Sequence, residues 1–185
     1  LHGHDEAWRE WHAASGSARM HHAWILSGVK GLGKGLFARR AAAELVAEEG
    51  IAQPAWQAHP DILLLDHLPL NDSEEEKKAE GKPFQTKRNI TVDQVRRMQA
   101  RLTTRPTLGS RRVIIIDPAD DMEKGAVNAL LKSLEEPPAG TYFLLVAHRL
   151  GRLLPTIRSR CRIMRFSPLT GEEIDAILRR EAPQA

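Results

Sequence analysis

The sequence predicts a three-layer α/β domain on a five-stranded, mainly parallel sheet. Three observations carry that expectation. Short segments that are apolar at nearly every position recur along the chain: Ala23–Leu26, Asp61–Asp66 with its Ile-Leu-Leu-Leu centre, Val113–Ile116, Tyr142–Val146 and Ile163–Phe166. Segments of helical pattern alternate with them, and a glycine-rich stretch joins the first strand to the helix after it. Strands without a polar face must be covered on both sides, which is the signature of a parallel sheet with right-handed helical crossovers.

The elements follow in order. Residues 5–16 read as an amphipathic helix carrying Ala7, Trp8, Trp11 and His12. The strand Ala23–Leu26 stops at Ser27-Gly28, and Leu36–Glu49, rich in Ala, Leu and Glu, reads as a helix. Residues 54–60 form a loop before the second strand. Residues 67–89, with Pro69, Gly81, Pro83 and the charge run Glu74–Lys78, are expected to be an exposed, mobile, solvated loop. Thr91 can cap a helix bearing Val92, Val95, Met98, Gln99 and Leu102. The strand Val113–Ile116 ends at Asp117, and a helix over 122–136 presents Val127, Leu130, Leu131 and Leu134 before Pro137-Pro138 stops it. Pro168 breaks the chain, and a last helix runs from Glu172 to Arg180. In such sheets ligands bind past the C-terminal strand ends. Ser27-Gly28, Asp117, His148 and Arg149 all fall there.

Composition excludes more than it suggests. The 185 residues suit one domain, or one domain and the start of another, and 42% hydrophobic residues suffice for a core. A net charge of +3 does not mark a nucleic-acid surface. The basic cluster Arg96, Arg97, Arg101, Arg105, Arg111 and Arg112 is balanced between phosphate contact and a solvated helix face. The one cysteine, Cys161, can form neither an internal disulfide nor a cysteine-rich zinc site, which suits a reducing cytoplasm. No apolar run reaches the roughly 20 residues of a membrane span, and the first residues lack a leader pattern. The chain does not begin with Met and stops within a helical pattern, as expected of part of a longer protein.

Gly28-Val29-Lys30-Gly31-Leu32-Gly33-Lys34-Gly35 follows a strand and opens a helix, the setting of a Walker A phosphate loop. Gly28, Gly31 and Gly33 would let backbone N–H groups converge on phosphate oxygens, and Lys34 would reach the terminal phosphates. The motif's last position departs. A Ser or Thr hydroxyl ligates Mg²⁺ there, and this chain has Gly35. Asp117 stands where a Walker B aspartate sits, but Pro118 replaces the glutamate that would polarise water. Asp120, Asp121 and Glu123 lie in the following turn and cannot take that position. Phosphate capture is therefore expected to outlast hydrolysis.

Three stretches carry a resemblance: His21–Leu26, the "NALLKSLEEPP" run Asn128–Pro138, and Leu153–Cys161 with its "SRC" motif Ser159-Arg160-Cys161. With Ile90–Arg96 they resemble the bacterial DNA polymerase III clamp-loader subunits of the AAA+ family, over about residues 3–169. The resemblance implies a RecA-like P-loop domain over 1–168 and the beginning of a helical lid over 169–185. Gly35, Pro118 and Ala147-His148 all depart from the motor (gamma/tau) pattern, and that set of departures resembles the delta-prime, or stator, type. By resemblance, Arg160 would be an arginine finger, flanked by Ser159 and Cys161, acting on a neighbouring subunit's ATP. Cys161 itself reads as a packing residue. The implied setting is a heteropentamer with gamma/tau and delta, acting on the sliding clamp and primed DNA, with no cofactor required and at most weakly bound ATP or ADP. The four-cysteine zinc module of many relatives has no counterpart between Glu49 and Asp61, where Trp56 stands, so no zinc is expected. The alternatives are an ATP-hydrolysing motor subunit of the same loader and, more remotely, a P-loop kinase or unrelated NTPase.

Overall fold

The computed structural model describes residues 3–181; the first two residues and 182–185, the end of the expected lid segment, lie outside them. Twelve elements follow in order: α1 Asp5–Ser15, β1 Ala23–Ser27, α2 Lys34–Val46, β2 Ile62–Leu65, α3 Asp72–Ala79, α4 Val92–Leu102, β3 Arg112–Ile116, α5 Lys124–Glu135, β4 Thr141–Ala147, α6 Pro155–Arg158, β5 Arg162–Arg165 and α7 Gly171–Glu181. The five strands form one sheet in the order β2-β3-β4-β1-β5, and every pairing is parallel.

The three layers come from the alternation of side chains along each strand. In β1, Ala23 and Ile25 face one helical layer and Trp24 and Leu26 the other. The first layer packs Val95 and Met98 of α4 and Leu130 and Leu134 of α5 on Ile114, Ile116, Phe143 and Leu145. The second packs Trp11 of α1 and Phe37, Ala38, Ala41, Ala42 and Leu45 of α2 on Val113, Ile115, Leu144 and Val146. Three alanines on one face of α2 let that helix lie close to the sheet, which brings its N-terminal turn to the β1 strand end.

Three expectations are corrected. Residues 67–89 are not a solvated loop throughout, because α3 folds within them. Asn71 accepts the Glu74 N–H at 3.0 Å as N-cap, with acids in the first turn and Lys77-Lys78 in the last, so caps and helix dipole replace a missing apolar face. Glu74 is buried; its carboxylate accepts the Gln85 N–H at 2.6 Å and pairs with Lys77 at 2.6 Å. The helix expected over 36–49 begins at Lys34, inside the glycine loop, and ends at Val46. Finally, Arg112 belongs to neither a phosphate surface nor a solvated face. It is buried and donates to the carbonyls of Arg101, Thr104 and Arg105, with Asp61 at 3.6 Å. Asp61, also buried, accepts the N–H groups of Thr107 and Leu108 at 2.6 and 2.8 Å. This ion pair anchors the turn between α4 and β3.

Candidate functional site: a phosphate loop held by an arginine

The glycine loop leaves the C-terminal end of β1, where Gly28 N–H bonds to Ala147 O of β4 at 3.2 Å. Gly33, the N-cap of α2, has φ 81°, a left-handed conformation that a Cβ would strain. Lys34 opens α2 and is buried, its Nζ donating to Val29 O at 2.6 Å across the loop. Burial pulls the Lys34 ammonium below its ordinary range, against the attraction of Asp117 and Asp120. Gly28, Gly31, Gly33, Lys34, Gly35 and Asp117 are thus brought to one strand end, as their spacing anticipated.

The side chain opposite Asp117 is one the sequence did not single out. Arg39, one turn along α2 from Gly35, points at the Asp117 carboxylate with Nη1–Oδ2 at 3.0 Å; both side chains are about four-fifths buried, at 19% and 18% exposure. A Cβ on Gly35 would lie 2.6 Å from Asp117 Oδ2 and 2.7 Å from Arg39 Nη1. Trp56, in a short turn after α2, lies under the Arg39 guanidinium at 5.1 Å from the ring centre. Asp66, just past β2, is the second carboxylate of the cluster. Burial pushes its carboxyl above the ordinary range and Asp117 adds to this, against Lys78 and Arg39. Spacing alone does not reveal Arg39: it lies four residues after Gly35 on α2, but only the fold sets it opposite the strand-end aspartate.

The remaining acids have other work. Asp120 accepts the N–H groups of His148 and Arg149 at 3.2 and 3.1 Å, tying β4's end to the turn after β3. Asp121 pairs with His67 at 2.9 Å, and Glu123 accepts the Val92 N–H at 2.6 Å. Pro118, joined to Asp117 by a cis peptide bond, offers no group to orient water. Burial and the neighbouring Lys34 hold His148 below its ordinary pKa. The loop therefore suits phosphate: left-handed glycines, a helix N-terminus and Lys34. A divalent ion suits it poorly, since position 35 has no hydroxyl and one of the two Asp117 oxygens, Oδ2, is paired with Arg39. Among the described residues no three His, Cys, Asp or Glu side chains converge as a metal site.

The SRC residues sit at the other end of the sheet. Arg160 lies between α6 and the start of β5, whose Arg162 is level with Trp24, near the beginning of β1. Its Nη2 meets Glu135 Oε1, at the end of α5, at 2.7 Å, and its Nη1 donates to Thr156 O at 2.8 Å. Ser159 Oγ donates to Thr156 O at 3.2 Å. Cys161 packs against the first core layer, and burial pushes its thiol up to about 12. Of the basic cluster around α4, Arg101 donates to Pro60 O at 3.0 Å, Arg96 pairs with Asp93 at 3.7 Å, and Arg111 lies over the Tyr142 ring. No described helix is long and apolar enough to cross a membrane.

Sheet order, covering helices and the glycine loop at the β1 end define a P-loop α/β domain of the AAA+ kind. A solved DNA polymerase III gamma subunit-related protein from Thermotoga maritima has the same fold, with a TM-score of 0.61 and 25% identity over 97% of this chain and 53% of that one. The family model described as DNA polymerase III, delta subunit, matches residues 3–170, and the chain belongs to that family. It is similar to DNA polymerase III subunit delta' of Pseudomonas aeruginosa, with 36% identity over 172 residues, 87% of this chain and 47% of the relative. A DNA polymerase III subunit gamma of Buchnera aphidicola matches at 30% over 162 residues, 84% of this chain and 41% of the relative. Similarity thus favours the delta-prime side over the gamma side. The chain spans under half the length of these curated relatives.

Proposed function

We propose that this chain is the AAA+ domain of a delta-prime, stator-type clamp-loader subunit, which does not hydrolyse ATP and supplies Arg160 to a neighbouring subunit's ATP site. It would act in the cytoplasm, in a heteropentamer with gamma/tau and delta subunits, and reach the sliding clamp and primed DNA through that assembly. It would need neither zinc nor a resident nucleotide, and any ATP or ADP it holds would be held weakly.

One observation carries the reading: the loop and the arginine lie at opposite ends of one parallel sheet. Gly28 follows the C-terminal end of β1, and Arg160 precedes the N-terminal end of β5 beside it. Four strand residues, about 13 Å of rise, separate the two levels. Arg160 cannot serve its own loop, so a guanidinium placed there can act on phosphate only across an interface. Its fixed charge and planar fork suit a developing anionic γ-phosphate. The own site, meanwhile, has lost its hydroxyl at Gly35, its water-orienting acid at Pro118, and free access to Asp117.

The test is ATP turnover by the reconstituted loader. Arg160→Ala should leave this chain folded and lower turnover at the site it completes by about 10³ or more, as for trans fingers elsewhere. Arg160→Lys should recover little, because an ammonium lacks the fork. Unchanged turnover in Arg160→Ala would reject the assignment. Turnover by the isolated chain with Mg²⁺ would support the motor alternative.

A further inference from the structure

The defect in the phosphate loop differs from the loss of one ligand. We infer that Arg39 is a resident cation standing in the place a divalent ion takes in a hydrolysing loop, so that Asp117 is closed to Mg²⁺ by an internal ion pair. The inference rests on reading Gly28–Gly35 as a phosphate loop, and does not involve Arg160.

Three features hold the guanidinium there. Asp117 Oδ2 accepts from it at 3.0 Å, with both groups largely removed from water. Trp56 supports it from below at 5.1 Å, an arrangement that favours a delocalised cation. Gly35 leaves it room, because a side chain at position 35 would meet Arg39 Nη1 at 2.7 Å and Asp117 Oδ2 at 2.6 Å. A side chain at 35 would crowd the far ends of Arg39 and Asp117, which can shift together while staying paired.

Charge points the same way. Asp117 is neutralised by a partner on the same chain. A divalent ion at its oxygen would sit against the guanidinium in a poorly hydrated place, where like charges repel strongly. Displacing Arg39 would cost its bond to Asp117 and its seat on Trp56. Restoring the hydroxyl alone, as in Gly35→Thr, therefore does not restore a metal site.

Mn²⁺, a paramagnetic substitute for Mg²⁺, tests this on the ¹⁵N-labelled chain. Broadening is read at the Gly35 and Asp117 amides and the Trp56 indole. The wild type and Gly35→Thr are expected to show no saturable broadening there. Arg39→Met, which keeps an apolar stem over Trp56 but frees Asp117 beside Asp66, is expected to gain a site centred on Asp117, with Mn²⁺ affinity at least tenfold above any in the wild type. A purely structural role for Arg39 would not move the position of the broadening. Saturable broadening at Asp117 in the wild type would overturn the inference, even if Arg39→Met fails to fold. So would a folded Arg39→Met chain that gains nothing, since Arg39 would then not be what keeps the ion out. Arg160→Ala turnover has no bearing on either result.

Discussion

Replacing Gly35 by alanine puts two opposing effects on one atom. Glycine in a helix costs up to about 1 kcal/mol relative to alanine, so Gly35→Ala in the first turn of α2 would ordinarily stabilise the chain. Here the new Cβ arrives 2.6 Å from Asp117 Oδ2 and 2.7 Å from Arg39 Nη1. Making room means shifting the far ends of both side chains, which are paired at 3.0 Å in a place where both are mostly shielded from water. Overpacking of this kind costs about 1–3 kcal/mol, and loosening a half-desolvated ion pair adds to it. The larger effect wins, and Gly35→Ala should destabilise by about 1 kcal/mol net, lowering the melting temperature by roughly 2–4 °C in a domain of this size. Urea unfolding with an unchanged slope reads it directly. The same substitution in an Arg39→Met background should be neutral or stabilising, because Asp117 can then swing aside and the helical gain remains. The two changes should therefore couple by about 1 kcal/mol or more in a double-mutant cycle. A stabilising Gly35→Ala in the wild type, or additivity of the two changes, would refute this packing conflict.

Two further outcomes follow from burial. Asp66 has a folded-state pKa above its ordinary 3.8, chiefly because it is withdrawn from water. The stability tied to its protonated form is fully present below pH 3.8 and is lost as pH rises through the folded value. Asp66→Asn should therefore raise the urea midpoint at pH 7, with the gain closing as pH falls toward about 4, and a gain that persists at about pH 3 would contradict the assignment. Cys161, its thiol pushed up to about 12 by burial, should resist alkylation by iodoacetamide at about pH 8 in the folded chain and react in urea at about 8 M; labelling at equal rates in both would show that it is not packed as described.

The sheet was legible because its inner strands are apolar on both faces, and a strand of that kind must be covered by helices on either side; the edge strand β5 is weaker, with Arg162 and Arg165 exposed. Asp61–Asp66, Val113–Ile116 and Tyr142–Val146 all read correctly to within a residue or two. What failed to show was structure held by polar contacts. α3 has no apolar stripe, and its signal is an Asn71 cap and an acid-then-base order, which a charge run disguises. α6, Pro155–Arg158, is too short for periodicity to show. Arg112 reads as one more surface base in a basic stretch, and only the fold reveals that it neutralises Asp61 from inside.

The candidate site divided along the same line. Gly28, Gly31, Gly33, Lys34, Gly35 and Asp117 could be gathered from spacing, because a strand, a loop and a helix fix where each must fall. Arg39 could not, since its partner lies 78 positions away in sequence. Glu135 escaped notice for the same reason: it stands in the run that carries the resemblance, 25 positions before the arginine it holds. That contact is exposed enough to contribute only about 0–1 kcal/mol, so a stronger anionic partner would displace it easily. The basic cluster around α4 proved mixed, with Arg101 and Arg96 tied to neighbouring groups and Arg112 inside the core.

The proposed working chemistry of this chain lies at Arg160, in a neighbour's site. A structure of the assembled loader with a γ-phosphate mimic bound to the motor subunit measures it most directly. Arg160 is expected to leave Glu135 and place a guanidinium nitrogen about 2.7–2.9 Å from a γ-phosphate-equivalent oxygen, the range of a charge-assisted hydrogen bond. An Arg160 still paired with Glu135, or turned away from the nucleotide in the fully assembled state, would contradict it.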